Sequence, residues 1–258
     1  MTDVITSKSN EKLKLVRKLA QRRHREREGL FVTEGEDLLA AGLAAGFEPV
    51  ALLTLQGEGL GGEEVAADVL ASASTLGSGT RAIAVWPQAW EPVAGPVCVY
   101  LHGVADPGNV GAIVRIAHGL VTGTVVLGPE CADPYGPKAV RATMGSIFGQ
   151  PLARAGIEDT PRPRIALVAH GGRPIDTVAT LSGMAGQKRH TAENASPAQP
   201  GAATLVLGAE RTGLPADVLS QCDAEVTIPL RPTGAESLNV AAAAAIALQR
   251  ISSEAAGG

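Results

Sequence analysis

The sequence predicts an α/β protein in two parts, a smaller N-terminal α/β domain over residues 1–95 and a larger domain over residues 96–258 built on a largely parallel sheet. Three observations carry this prediction. From residue 97 onward, short apolar runs alternate with helix-period segments, the rhythm of a parallel sheet with helices on both faces. A content of 45% apolar residues and a mean hydropathy of +0.13 supply enough material for real cores. Between them, the stretch from Pro87 to Pro96 carries neither helix nor strand signals, which marks the boundary.

In the first part, Asn10 can cap a helix whose apolar positions Leu13, Val16 and Ala20 follow i, i+3, i+7 spacing, with Lys12, Lys18, Arg22 and Arg25 outside. FVTEG (31–35) reads as a strand and turn, DLLAAGLAAG (37–46) as a helix closed by Gly46, and PVALLTL (49–55) as a strand. GEGLGG (57–62) is a loop, residues 63–71 are expected to be helical, and TLGSGTRAIAVW (75–86) returns to a strand. In the second part the strands are PVCVYLHG, TVVLG, RIALVAH, TLVLG and AEVTIPL. The helices are NVGAIVRIAHGL, PKAVRATMGSIFG and LNVAAAAAIALQRI. The polar segment 171–201 is expected to be a long loop with a short helix near Ile175–Leu181.

Charge is distributed unevenly. Residues 8–28 hold nine of the 22 Lys and Arg against three acids, a local +6, so the net −4 leaves −10 elsewhere. Such a basic arm on an acidic body suits a polyanionic partner. RNA contacts are expected from Lys12, Lys18, Arg22, Arg23 and Arg25, with a solvated surface helix as the ordinary alternative. Aromatics are only 3%, so recognition must lean on charge and backbone more than on stacking. Cys98, Cys131 and Cys222 form no CxxC pair, which removes the usual signature of a zinc or redox site. No apolar run reaches the ~18 residues that span a bilayer, and the expectation is a soluble, cytoplasmic protein.

Three segments carry chemistry, and each also has a plain structural reading. In LHGVADPGNVGAIVRIA (101–117) a strand ends, Asp106-Pro107-Gly108 turns, and Asn109 caps a helix bearing Arg115 about two turns in. In LVLGAERTGLP (205–215) a buried strand delivers Glu210 to its carboxyl end, where an acid can bind a hydroxyl or take a proton. In IPLRPTGAESLNVAAAAAIALQR (228–250) Ser237 or Asn239 caps an alanine-rich helix. Ligands of parallel sheets bind at the carboxyl ends of strands, where all three segments lie.

In order and spacing the three segments resemble the signature of the SpoU/TrmH family of RNA 2′-O-ribose methyltransferases, over Val97 to about Ile251 and including DPYGPKAVRATMGSIFGQP (133–151). The first part resembles that family's substrate-binding domain, whose fold is similar to a ribosomal RNA-binding protein. The resemblance implies a C-terminal methyltransferase domain closed by a trefoil knot, S-adenosylmethionine as cofactor, no metal, and a homodimer acting on ribosomal or transfer RNA, ribosomal favoured. It implies Asn109, Arg115, Glu210, Ser237 and Asn239 as the catalytic set, and cofactor contacts at Leu207, Gly208, Ile228, Ser237 and Leu238. The loop from Ile228 to Leu238 departs from the family pattern by one extra residue and contains Arg231-Pro232. A guanidinium rarely gives up its proton, so Arg115 is expected to grip phosphate or stabilise negative charge while Glu210 or a nearby phosphate assists proton removal. Two other classes stand beside this reading: an RNA- or ribosome-binding module without catalysis, and a dinucleotide enzyme, which the lack of a GxGxxG after a strand disfavours.

Overall fold

The computed structural model describes residues 4–76, 79–177 and 202–255. The chain divides into two compact units, the first made of residues up to Ala89 together with Asp133–Gly149, the second of Trp90–Ala132 and the chain from Gln150 onward.

In the first unit the basic arm is two helices, α1 (Glu11–Leu19) and α2 (Arg22–Glu28). Asn10 caps α1 as expected, its side chain accepting from the Lys12 N–H at 2.9 Å. The buried stripe is Leu13, Val16 and Leu19, while Ala20 is exposed because the helix breaks there and the periodicity does not extend. Strands β1 (Leu30–Glu34), β2 (Ala51–Leu55), β3 (Glu63–Val65) and β4 (Ala82–Pro87) form a sheet in the order β1-β4-β2-β3. Helices α3 (Glu36–Ala44) and α4 (Ala67–Ala71) complete this part. The expected helix over 63–71 is therefore a strand followed by one short helix: Glu63–Val65 pairs in parallel with β2, and tertiary pairing overrides the local preference.

One sheet face is aliphatic, with Leu53, Ile83 and Val85 packing against Leu13, Val16 and Leu19 of α1 and Val69 and Leu70 of α4. The other face is aromatic. Phe31 and Trp86 sit opposite each other in the β1–β4 ladder, and the inserted segment brings Tyr135 to 4.8 Å from Phe31 and Phe148 to 4.9 Å from Trp86, ring centre to ring centre. Phe47 joins Phe148 at 5.3 Å. Gly42 of α3 lies against these rings so closely that a Cβ there would stand 2.7 Å from Trp86, so only glycine lets the helix approach. The segment expected as one helix over 137–149 is a short helix, α6 (Pro137–Thr143), then a 3₁₀ turn at Ser146–Phe148. Met144 at φ 49° and Gly145 at φ 91° separate them.

The second unit holds β5 (Val97–Leu101), α5 (Pro107–Leu120), β6 (Val125–Leu127), β7 (Leu152–Arg154), β8 (Arg164–Leu167), β9 (Arg173–Pro174), β10 (Ala203–Leu207), α7 (Ala216–Leu219), β11 (Ala224–Thr227) and α8 (Val240–Ala255). The seven strands run in the order β7-β6-β5-β10-β8-β11-β9, with every pairing parallel. Strands β5 and β10 are buried at every position, which is why they read as continuous apolar runs rather than as alternation. One face packs Tyr100, Val206 and Ala166 against Leu214 and Val218, and on α5 and α8 the buried residues include Ile113, Val114, Ala244 and Leu248. The sheet grows outward from β5 in one direction through β6 and β7, and in the other through β10. The reversal between β5 and β10 is a topological switch point, where open parallel sheets leave a crevice at their carboxyl edge. Strands β7 and β9 are too short to have been legible beforehand. Of the expected helix near Ile175–Leu181, the described residues Ile175–Thr177 form a 3₁₀ turn, and the rest of it lies in the segment 178–201, outside the described residues.

Candidate active site

Because the sheet is parallel, the segments that follow β5, β10 and β11 all leave it at the same edge. The backbone N–H of His102 donates to the carbonyl of Leu207 at 2.9 Å, tying the ends of β5 and β10 together. Past β5 the chain turns into α5. The helix is capped by Asp106, whose Oδ1 accepts from the N–H of Asn109 at 3.0 Å. Asn109 is thus the third residue of α5 and not its cap, a correction of the sequence expectation: Pro107 occupies the first turn, where its missing N–H costs nothing, and leaves Asp106 in the capping position. The Asn109 side chain is thereby left free for other work.

Past β10 the chain makes a tight loop in which the N–H of Gly213 donates to the carbonyl of Ala209 at 2.9 Å. Glu210, Arg211 and Thr212 form its exposed tip. A Cβ on Gly208 would meet the Gly213 carbonyl carbon at 2.5 Å, so the loop can fold back onto the strand end only over a glycine.

The three segments meet through three side chains. Asn239 Nδ2 donates to Asn109 Oδ1 at 3.0 Å, and Asn109 Nδ2 donates to Glu210 Oε1 at 2.6 Å. Asn239 Oδ1 in turn accepts from the N–H groups of Ala241 at 2.9 Å and Ala242 at 3.3 Å. Every donor in this series points the same way, from the N-terminus of α8 through two amides to a carboxylate. Each link fixes the next, since an amide whose oxygen and nitrogen are both engaged has one orientation. The arrangement presents an anchored carboxylate at the switch point, and such a group can receive a hydroxyl proton.

Of the expected catalytic set, Asn109, Glu210 and Asn239 are joined directly. Asn239, and not Ser237, is the cap of α8; Ser237 is exposed in the approach to the helix. Arg115 is exposed on α5, and its guanidinium takes part in no hydrogen bond or ion pair among the described residues. Of the expected cofactor contacts, Leu207 ends β10, Gly208 follows it, and Ile228 follows β11; Leu238 is 37% exposed. Two features there suit a nucleoside with a charged tail. Leu230 and Leu238 offer apolar surface to solvent on the loop entering α8, and Nδ1 of His102, beside Leu207, is buried with no hydrogen-bond partner among the described residues. His102 was missed in the sequence because a single histidine after a strand carries no spacing signal. No group of three or more metal-ligating side chains occurs among the described residues.

The basic arm is partly spent on the protein itself. Arg25 is 4% exposed; it pairs with Asp133 at 2.7 Å and donates to the carbonyls of Leu19 and Ala20. Its assignment to RNA contact is therefore corrected, because a buried guanidinium with its donors engaged is an internal strut. Lys12 is ion-paired with Glu63, and Arg22 with Glu26 at 2.8 Å. Lys18 and Arg23 are exposed with no ion pair among the described residues.

Residues 96–249 match the SpoU rRNA Methylase family, and residues 10–91 match the MRM3-like substrate binding domain. The chain is 34% identical to an uncharacterized tRNA/rRNA methyltransferase of Mycobacterium tuberculosis over 84% of this chain and 79% of that one. It is 29% identical to a 23S rRNA guanosine 2′-O-methyltransferase of Bacillus subtilis over 94% and 96%. An AdoMet-bound rRNA methyltransferase structure from Sinorhizobium meliloti superposes with a TM-score of 0.78 at 27% identity, covering 96% of this chain and 97% of that one. With its motif segments converging on one carboxylate and both parts matched along their length, the chain belongs to the SpoU rRNA methylase family.

Proposed function

We propose that this protein transfers a methyl group from S-adenosylmethionine to a ribose 2′-hydroxyl of structured RNA, with ribosomal RNA favoured over transfer RNA. The observation that carries the reading is the series from Asn239 through Asn109 to Glu210, which gathers the three motif segments at the carboxyl edge of the sheet. S-adenosylmethionine would supply, when bound, a methyl group whose bond to a positively charged sulfur breaks as the ribose oxygen takes the carbon, leaving a neutral thioether. The loops after β10 and β11, with Leu207, Gly208, Ile228, Ser237 and Leu238, are the residues that would hold it. Glu210, held by Asn109, receives the proton of the 2′-hydroxyl as the new O–C bond forms. Arg115 grips the phosphate next to the target ribose and so aligns the hydroxyl. The same reading includes a homodimer formed through the second unit and the trefoil-knotted chain path of the family.

The reading is tested by incubating the protein with S-adenosylmethionine and either a large-subunit ribosomal RNA or a transfer RNA transcript, then mapping 2′-O-methylation. Methylation of the ribosomal transcript that Glu210→Gln reduces by about two to four orders of magnitude is the expected result. Cofactor binding without methylation of either RNA would favour a module that binds RNA and performs no catalysis. Solution mass measurement tests the dimer, and a fully active monomer would refute it.

A further inference from the structure

The described cations of the second unit are all arginines, and they fall into two groups. Arg154 lies over the Trp90 ring at 4.2 Å, Arg162 is paired with Asp223, Arg164 is buried and donates to the Glu158 and Thr160 carbonyls, and Arg250 pairs with Asp176 at 3.4 Å. Arg115, Arg173, Arg211 and Arg231 are exposed, and their side chains have no hydrogen bond or ion pair among the described residues. Arg173 lies in the edge strand β9. The other three belong to the segments that leave the carboxyl edge. Arg211 comes four residues after the end of β10 and Arg231 four residues after the end of β11.

Both loops hold these arginines in defined places. Arg211 follows Glu210 at the tip of the loop that the Ala209–Gly213 bridge closes. Arg231 opens a turn in which the Gly234 N–H donates to its carbonyl at 2.9 Å, and Pro232 at the second position of that turn restricts φ. A side chain carried on a stiffened turn loses less freedom on binding than one on a slack loop. Leaving two guanidiniums, those of Arg211 and Arg231, unneutralised on the loops at the carboxyl edge of a body that is otherwise acidic favours a polyanion approaching there.

Resting on the RNA reading above, we propose that Arg211 and Arg231 are phosphate-contacting residues of the catalytic unit. They engage the RNA strand on either side of the target ribose, so that this unit, and not the basic N-terminal arm alone, binds the RNA backbone.

The test measures RNA affinity of the full-length protein by fluorescence anisotropy at four or more salt concentrations, with methylation and S-adenosylmethionine binding measured on the same preparations. Arg211→Ala/Arg231→Ala is expected to weaken RNA binding severalfold and to reduce the dependence of log affinity on log salt by about 0.7 per contact on a single strand. Cofactor affinity should be unchanged, and the loss should fall on KM for RNA. Arg211→Lys/Arg231→Lys should restore the salt slope, because counterion release follows charge. Arg162→Ala, which also removes one positive charge but from an ion pair at the amino ends of β8 and β11, opposite the edge that the two loops leave, should leave the slope as in the wild type. A wild-type salt slope in the double alanine variant, with the parent enzyme binding and methylating RNA, overturns this proposal and leaves the functional reading intact. Failure of the parent enzyme to bind any RNA overturns both.

Discussion

A guanidinium at position 115 can serve methyl transfer in two ways, by gripping phosphate or by accepting a proton, and the two differ in what lysine does there. Arg115→Ala should abolish methylation with S-adenosylmethionine affinity held within a few-fold. If Arg115 works through a planar two-pronged grip, Arg115→Lys keeps the charge but recovers little turnover at any pH. A base role instead requires Lys activity that climbs steeply with pH, since an ammonium releases its proton far more readily than a guanidinium; near-parental turnover at high pH would refute the grip. Arg25 is the contrasting case. Its ion pair with Asp133 is 5% and 4% exposed on the two sides, and removing one partner of such a pair leaves a buried charge uncompensated. Arg25→Ala should therefore lower stability by about 3–5 kcal/mol, read from denaturant unfolding, whereas Arg23→Ala, on an exposed and unpaired neighbour, should change it little. In sequence these two arginines look alike. Only the tertiary position of Asp133, 108 residues along the chain, tells them apart.

The central strands of the second unit were legible as continuous apolar runs because both of their faces are covered. Their chemistry follows from that burial. Tyr100 on β5 is 2% exposed, and burial pushes its phenol from the ordinary 10 up to about 12. The folded state therefore holds the proton where the unfolded chain releases it. The resulting contribution to stability is complete below pH 10 and is lost as pH rises from about 10 to about 12. Unfolding midpoints measured across this range should fall with pH, and Tyr100→Phe should flatten that part of the profile; an unchanged slope would refute the assignment. The short strands β3, β7 and β9 escaped the sequence because two or three residues cannot display a period and, unlike β6, they carry no continuous apolar run. The inserted segment 133–149 was legible as helical, but not as part of the first unit.

That insertion decides how the whole molecule can be taken apart. Cutting the chain at residue 95 follows the linker, yet Tyr135 and Phe148 are packed on Phe31 and Trp86, and Asp133 on Arg25. A protein lacking residues 1–95 should expose this aromatic cluster, bind a hydrophobic dye and lose solubility; a monodisperse truncated protein without dye binding would refute this. The contribution of the arm is better measured in the intact chain. Lys18→Ala/Arg23→Ala should lower RNA affinity and its salt dependence without altering thermal stability or cofactor binding. Five of the seven aromatic residues, Phe31, Phe47, Trp86, Tyr135 and Phe148, are taken up by the interior cluster. This strengthens the expectation that charge rather than stacking dominates RNA recognition.

Local pattern was sufficient for the α/β class, the placement of Glu210 after a buried strand and of Asn239 at a helix start, and the helical basic arm, because periodicity, turn chemistry and charge act over a few residues at a time. The strand order with β10 between β5 and β8 and the burial of Arg25 depend on residues far apart in sequence, and no local signal encodes them. The joining of Asn239, Asn109 and Glu210 into one directed series likewise needed the folded chain, since hydrogen bonds across 130 and 101 residues exist only once the parallel sheet has brought its carboxyl ends to a common edge.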